Sequence, residues 1–213
     1  MIEEAPLSGR GDVSHEELTR PQQTIVRRMA ESKATAPDFS LTLEAEPAAA
    51  GLEHVVRAAA LALRDFPRVN GAYRDGRFET YSRVNVGVAM AGPDALVVPT
   101  VLDADTKSAD ELAAELRVLG ERVAAGTIAS PELAAGTFTV WSLPARRFTP
   151  ILNPPQAAIL AAGAIESRAV VRDGAVVARD VMELTLVSDH RILYGEEAAA
   201  FLGRVAEYLA AAE

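Results

Sequence analysis

The strongest constraint on the fold is the stretch Met182–Gly195, MELTLVSDHRILYG. Met182, Leu184 and Leu186 alternate with Glu183 and Thr185, the pattern of a strand with one buried face. The alternation stops at Ser188-Asp189-His190-Arg191, and a helical pattern follows Gly195 from Glu196 to Ala211. The segment therefore reads as strand, tight turn and helix in succession. A histidine on such a turn can be held in one orientation and still reach a cleft, as a general base must. It can equally be a turn histidine that satisfies local backbone groups, and the residue alone does not decide between the two.

With 213 residues, the chain is long enough for one substantial α/β domain or at most two small ones. Apolar residues make up 49%, so a sizeable core is available, and abundant alanine points to helices packed closely on a sheet. A net charge of -9 argues against a nucleic-acid or anionic-membrane surface, while leaving room for a local basic patch. The absence of cysteine excludes disulfides, a thiol nucleophile and cysteine metal sites. His15, His54 and His190 are scattered and no acidic ligands cluster with them, so no metal site is expected. No apolar leader and no run of membrane-spanning length is present, and a cytoplasmic protein is expected.

In chain order, residues 1–13 read as an N-terminal arm and 14–213 as one domain. Ser14 to Ser32 reads as the first helix, with Ser14 and Glu17 in a capping-box pattern and a break or second start near Thr19 imposed by Pro21. Phe39–Glu46 alternates as a strand, and Leu52–Phe66 is an apolar helix. Asp75-Gly76 and Asp173-Gly174 mark hairpins. Val84–Ala91 and Leu96–Leu102 read as buried central strands. Ser108 and Glu111 cap the clearest helix, which Gly126 ends. Gly136–Leu143 and Ala157–Ile165 read as further strands.

Several of these segments together carry a family resemblance. They are Arg28-Met29-Ala30-Glu31-Ser32-Lys33, Phe66-Pro67 with Val69-Asn70, Val84–Ala89, Val98-Pro99-Thr100-Val101, Gly136-Thr137-Phe138-Thr139, Asn153–Leu160, and Asp189-His190-Arg191 with Gly195. In this order and spacing, over about residues 14–211, the chain resembles the catalytic domain of the dihydrolipoyl acyltransferases of 2-oxo acid dehydrogenase complexes, a domain similar in fold to chloramphenicol acetyltransferase. The resemblance implies an α/β fold with a mixed sheet flanked by helices, a homotrimer or higher oligomer, and active sites between subunits. It implies acyl transfer with acetyl-CoA or another acyl-CoA as cosubstrate and no permanently bound cofactor. His190 falls on the family's catalytic histidine. Arg28, Lys107, Arg146 and Arg147 are candidates for the coenzyme A phosphates.

The chain departs from the family pattern in places. Tyr194 stands where His-Arg-x-x-Asp-Gly has its aspartate. Trp141 lines up with the serine expected to stabilise the oxyanion, which leaves Ser142, Thr139 and the Trp141 indole as candidate donors. Ser142 points to the opposite strand face from Trp141, and Thr139 to the same face. The segment Pro47–Gly51 is shorter than the family's connection, and no lipoyl domain precedes the chain. These departures lead to the expectation of a stand-alone acyltransferase that moves an acetyl or short acyl group to a small-molecule hydroxyl, a tetronate primary alcohol being one candidate. The alternatives are the catalytic core of a 2-oxo acid dehydrogenase complex and a non-catalytic scaffold.

Overall fold

The structure, a computed structural model, describes residues 13–211. The expected arm at 1–13 lies outside them except for Val13. Helix α1 spans Arg20–Thr35, with Thr19 as its cap. The Thr19 side chain accepts from the Gln22 amide, and the Gln22 side chain accepts from the Thr19 N–H at 2.8 Å. The expected Ser14–Glu17 box is not formed, since residues 13–19 are not helical. The reason is Pro21: inside a helix begun at Ser14 it would lack a hydrogen bond and clash, whereas in the first turn its missing N–H costs nothing.

The central sheet is mixed. Its strands are β1 (Asp38–Ala45), β4 (Val86–Val88), β7 (Thr100–Val101), β8 (Phe138–Ser142), β9 (Ala158–Ala162), β10 (Glu166–Arg172) and β11 (Ala175–Asp189). The order is β1-β11-β9-β8-β4-β7, with β10 also on β11. The pairs β4–β8 and β8–β9 are parallel and the others antiparallel. The hairpin β2 (Gly71–Arg74) and β3 (Arg77–Thr80) and the ribbon β5 (Met90–Ala91) and β6 (Leu96–Val97) stand outside it.

Strand β11 is longer than the sequence pattern indicates. The second arm of the Asp173-Gly174 hairpin and the strand beginning at Met182 are one 15-residue element. Its first half pairs with β10 as far as Val181, and its second half pairs with β1 and β9 from Met182 on. The expected central strands at 84–91 and 96–102 are shorter and interrupted. Val98-Pro99 breaks the second, because proline has no N–H for a ladder, and its surviving piece β7 lies at the sheet edge.

One sheet face, through Leu184, Leu186, Leu160, Phe138 and Val140, packs against α2 (Leu52–Asp65), α3 (Ala109–Ala124) and α5 (Gly195–Ala210). Ala58, Ala59, Ala60 and Ala62 of α2 are buried, and their small side chains let the helix lie close to its neighbours. The other face carries Ile159 and Val187, covered by Ala36 and Leu152, together with the polar side chains of Glu183, Thr185 and Thr139. Among the described residues no helix is long and apolar enough to cross a membrane.

Candidate active site

His190 follows the last residue of β11, and its backbone is pinned on both sides. Its N–H donates to the Pro37 carbonyl at 3.0 Å, and the preceding Asp189 N–H donates to the Ala157 carbonyl at 2.9 Å. Asp189 then closes the turn. Its carbonyl accepts from the N–H groups of Ile192 and Leu193, both at 3.0 Å. Its buried carboxylate accepts from the Arg191 backbone N–H at 2.9 Å and from Nε and Nη2 of the same residue at 2.9 and 2.6 Å. This fork raises the Arg191 pKa above its ordinary value, chiefly through the Asp189 hydrogen bond. The guanidinium also lies 4.1 Å from the Tyr73 ring centroid, which ties the turn to the β2–β3 hairpin. The Asp189–Arg191 pair therefore holds the turn.

The His190 side chain is exposed, and among the described residues neither ring nitrogen has a hydrogen-bond partner. Its ring lies beside Phe39, at 4.8 Å between centroids, and Tyr194, at 5.5 Å. Tyr194 precedes the first residue of α5 but gives it no side-chain cap.

The candidate oxyanion donors lie elsewhere in the chain. Trp141 pairs with Ala161, which pairs with Thr185, five residues before His190. With about 4.8 Å between strands and about 3.3 Å along them, the two backbones are on the order of 15–20 Å apart. Trp141 is half-buried, with its ring edge-on to Phe148 at 5.3 Å. Its indole N–H makes no hydrogen bond among the described residues. Ser142 is exposed on the opposite strand parity.

Thr139 is not an available donor. Its hydroxyl donates to Gln156 Oε1 at 2.7 Å, while Gln156 Nε2 donates to the Gly136 carbonyl at 2.9 Å. A carbonyl can only accept, so the Gln156 amide is fixed with its oxygen toward Thr139 and the hydroxyl proton is committed. The expectation of Thr139 as an oxyanion donor is corrected on that ground.

The candidate phosphate ligands are dispersed. Arg146 donates to Glu183 at 2.7 Å, and Arg147 and Arg168 approach the same carboxylate at 3.6 and 3.4 Å. The Arg146 hydrogen bond holds the Glu183 pKa below the ordinary range, against the upward push of burial. Lys107 pairs with Glu115 beside a cavity of about 380 Å³ between α3, β7 and α4 (Ser130–Ala134). Arg28 is exposed on α1. Among the described residues no cluster of three or more metal-binding side chains occurs. Phe39 against His190, Gln156 against Thr139 and Glu183 against Arg146 are contacts that the sequence does not reveal. Phe39 reads only as an inward strand residue and Glu183 only as the polar side of β11, while Gln156 sits in a quoted motif without an evident role.

Comparison with known proteins gives the family of the chain. Residues 46–213 match the family described as 2-oxoacid dehydrogenases acyltransferase (catalytic domain). The dihydrolipoyllysine-residue succinyltransferase component of the 2-oxoglutarate dehydrogenase complex of Bartonella vinsonii subsp. berkhoffii is 37% identical over 216 residues, covering 90% of this chain and 52% of that protein. The corresponding acetyltransferase component of the Rhizobium meliloti pyruvate dehydrogenase complex is 32% identical, covering 88% and 48%. The chain thus spans about half the length of these curated relatives. The Azotobacter vinelandii dihydrolipoamide acetyltransferase, whose catalytic study addressed a serine, a histidine and an asparagine four residues after the histidine, superposes with a TM-score of 0.91 at 25% identity, covering 99% of this chain and 96% of that one. Chloramphenicol acetyltransferase, at 18% identity and a TM-score of 0.58 over 86% and 94% of the two chains, shares the fold. The chain belongs to the acyltransferase catalytic-domain family of the 2-oxo acid dehydrogenases.

Proposed function

We propose that this chain transfers a short acyl group between the thiols of coenzyme A and a dihydrolipoyl group, with His190 as general base. The observation that carries the reading is the His190 imidazole, exposed on a backbone pinned by hydrogen bonds, with neither nitrogen engaged by a described residue. The names of the curated relatives supply the acceptor class. In the direction of acyl-CoA synthesis, His190 takes the proton from the coenzyme A thiol and the sulfur attacks the thioester carbonyl of the acyl-dihydrolipoyl group. A carbon–sulfur bond forms, and the carbonyl oxygen becomes an oxyanion. Collapse breaks the older carbon–sulfur bond, and the leaving thiolate recovers the proton from His190. No acyl-enzyme is required, because holding two substrates side by side supplies much of the acceleration.

Within one chain the His190 and Trp141 backbones are on the order of 15–20 Å apart by strand geometry, too far to serve one reacting carbonyl. We therefore place the site between subunits of a homo-oligomer, a trimer in its simplest form. There His190 of one subunit faces Trp141 of the partner subunit, whose indole N–H takes the place of the family serine as oxyanion donor.

A second reading, transfer to a small-molecule hydroxyl, draws on Tyr194 and Trp141. The histidine and asparagine studied in the Azotobacter relative stand four residues apart, the spacing of His190 and Tyr194 in this chain. Release of free coenzyme A from acetyl-CoA separates the readings when dihydrolipoamide and a panel of primary alcohols, hydroxymethyl tetronates included, are offered to the parent and to His190→Ala. Turnover with dihydrolipoamide, reduced roughly 10²–10⁴-fold in His190→Ala, is the expected result. Turnover with alcohols alone would establish the second reading. Silence with every acceptor and no binding of acetyl-CoA would leave a non-catalytic scaffold.

A further inference from the structure

We propose that Phe39 and Tyr194 form an aromatic clamp that fixes the plane of the His190 imidazole, which makes both of them positioning residues. The inference rests on the reading of His190 as the base. Both rings lie within the distance at which aromatic pairs attract, at 4.8 and 5.5 Å from the imidazole centroid, and both are steeply inclined to it, at 57° and 73°. They approach from separate elements, Phe39 from β1 and Tyr194 from the start of α5.

Each ring stands on fixed backbone. Phe39 pairs in register with Ser188, and its side chain also packs against the main core. Tyr194 follows the buried residues Ile192 and Leu193, and its carbonyl accepts from the Ala198 N–H at 3.0 Å.

The imidazole needs such a device. The torsion that turns a histidine ring is broad and weakly defined by itself. No other described residue hydrogen-bonds either ring nitrogen of His190, and Phe39 and Tyr194 are the rings packed beside it. Tyr194 has no other evident task. It is 57% exposed, its hydroxyl has no hydrogen-bond partner among the described residues, and it does not cap α5. It stands four residues after His190, the spacing that separates the catalytically studied histidine and asparagine of the Azotobacter relative. An amide orients by hydrogen bonding. The tyrosine ring orients by edge-to-face contact, and its hydroxyl is dispensable.

The test compares Tyr194→Phe and Tyr194→Ala in the full chain, by steady-state kinetics and by the ring-proton resonances of its three histidines. Tyr194→Phe should match the parent in both. Tyr194→Ala should lower kcat about tenfold with KM nearly unchanged. It should also move the His190 ring resonances while those of His15 and His54 stay in place. Unchanged kcat, unmoved His190 resonances, or a Tyr194→Phe protein as impaired as Tyr194→Ala would each overturn the clamp. Should the parent transfer no acyl group, the proposed function fails. The clamp is then judged by the resonances alone, and unmoved His190 signals in Tyr194→Ala overturn it.

Discussion

Thr139 and Trp141 share a strand face two residues apart, yet the structure gives them opposite prospects. The Thr139 hydroxyl is committed to Gln156, whereas the Trp141 indole N–H has no partner among the described residues. Trp141→Phe keeps a ring against Phe148 and removes the donor. It is expected to lower kcat by roughly 10²-fold with little change in KM, the usual cost of one lost oxyanion donor, and to leave the melting temperature nearly unchanged. Thr139→Val should behave in the reverse way. It strands the Gln156 carbonyl oxygen in a buried site, at a cost of about 1–3 kcal/mol, while the pre-steady-state rate of acyl transfer stays near that of the parent. Equal kinetic losses in both variants would show that this part of β8 acts as a structural unit and that the assignment of the donor to Trp141 is wrong. Parity along β8 was legible in the sequence. The commitment of Thr139 was not, because it depends on an amide brought in from Gln156 by the fold.

At the scale of elements, the Ser108–Glu111 capping box was readable and is present. The Ser108 hydroxyl accepts from the Glu111 N–H, and the Glu111 carboxylate accepts from the Ser108 N–H at 2.8 Å. Ser108→Ala is expected to destabilise the protein by about 1 kcal/mol, measurable as a lower denaturant midpoint with an unchanged slope. The Asp-Gly hairpins were equally legible, since Asp75, Gly76, Asp173 and Gly174 all take the positive φ that such turns demand. The unity of β11 was not legible. Arg179 and Asp180 read locally as an interruption, and only the hand-over of partners from β10 to β1 and β9 makes one strand of the two halves. That hand-over places Glu183 among Arg146, Arg147 and Arg168. Because folding lowers the Glu183 pKa, its stabilisation is complete above the ordinary glutamate value of about 4.3 and is lost as pH falls through the folded value. The melting temperature of Glu183→Gln should therefore lie below that of the parent at pH 7, and the gap should close as both are acidified below about pH 4. A gap independent of pH would mean that packing, not charge, holds the cluster.

The whole molecule poses the question of where one site ends and the next begins. Val171 and Val176, opposite each other near the tip of the β10–β11 hairpin, are 63% and 74% exposed, an apolar pair at the far end of the strand that carries His190. The distance between the His190 and Trp141 backbones is fixed by the sheet lattice, and rotation of the side chains cannot close it. A site divided between subunits predicts complementation. In a mixed cyclic oligomer of His190→Ala and Trp141→Ala chains, some junctions bring the intact His190 of one chain against the intact Trp141 of the next. Random mixing of equal amounts gives roughly a quarter of the junctions that composition, so about a quarter of the parent activity should return after the two proteins are unfolded together and reassembled. Each variant reassembled alone should stay at its own low level. Mixing folded oligomers without unfolding should restore nothing unless subunits exchange, which separates a shared site from a contaminant. No recovery from a reassembled mixture of normal size would place the oxyanion donor and the base in the same chain, and Trp141 would then lose its proposed role.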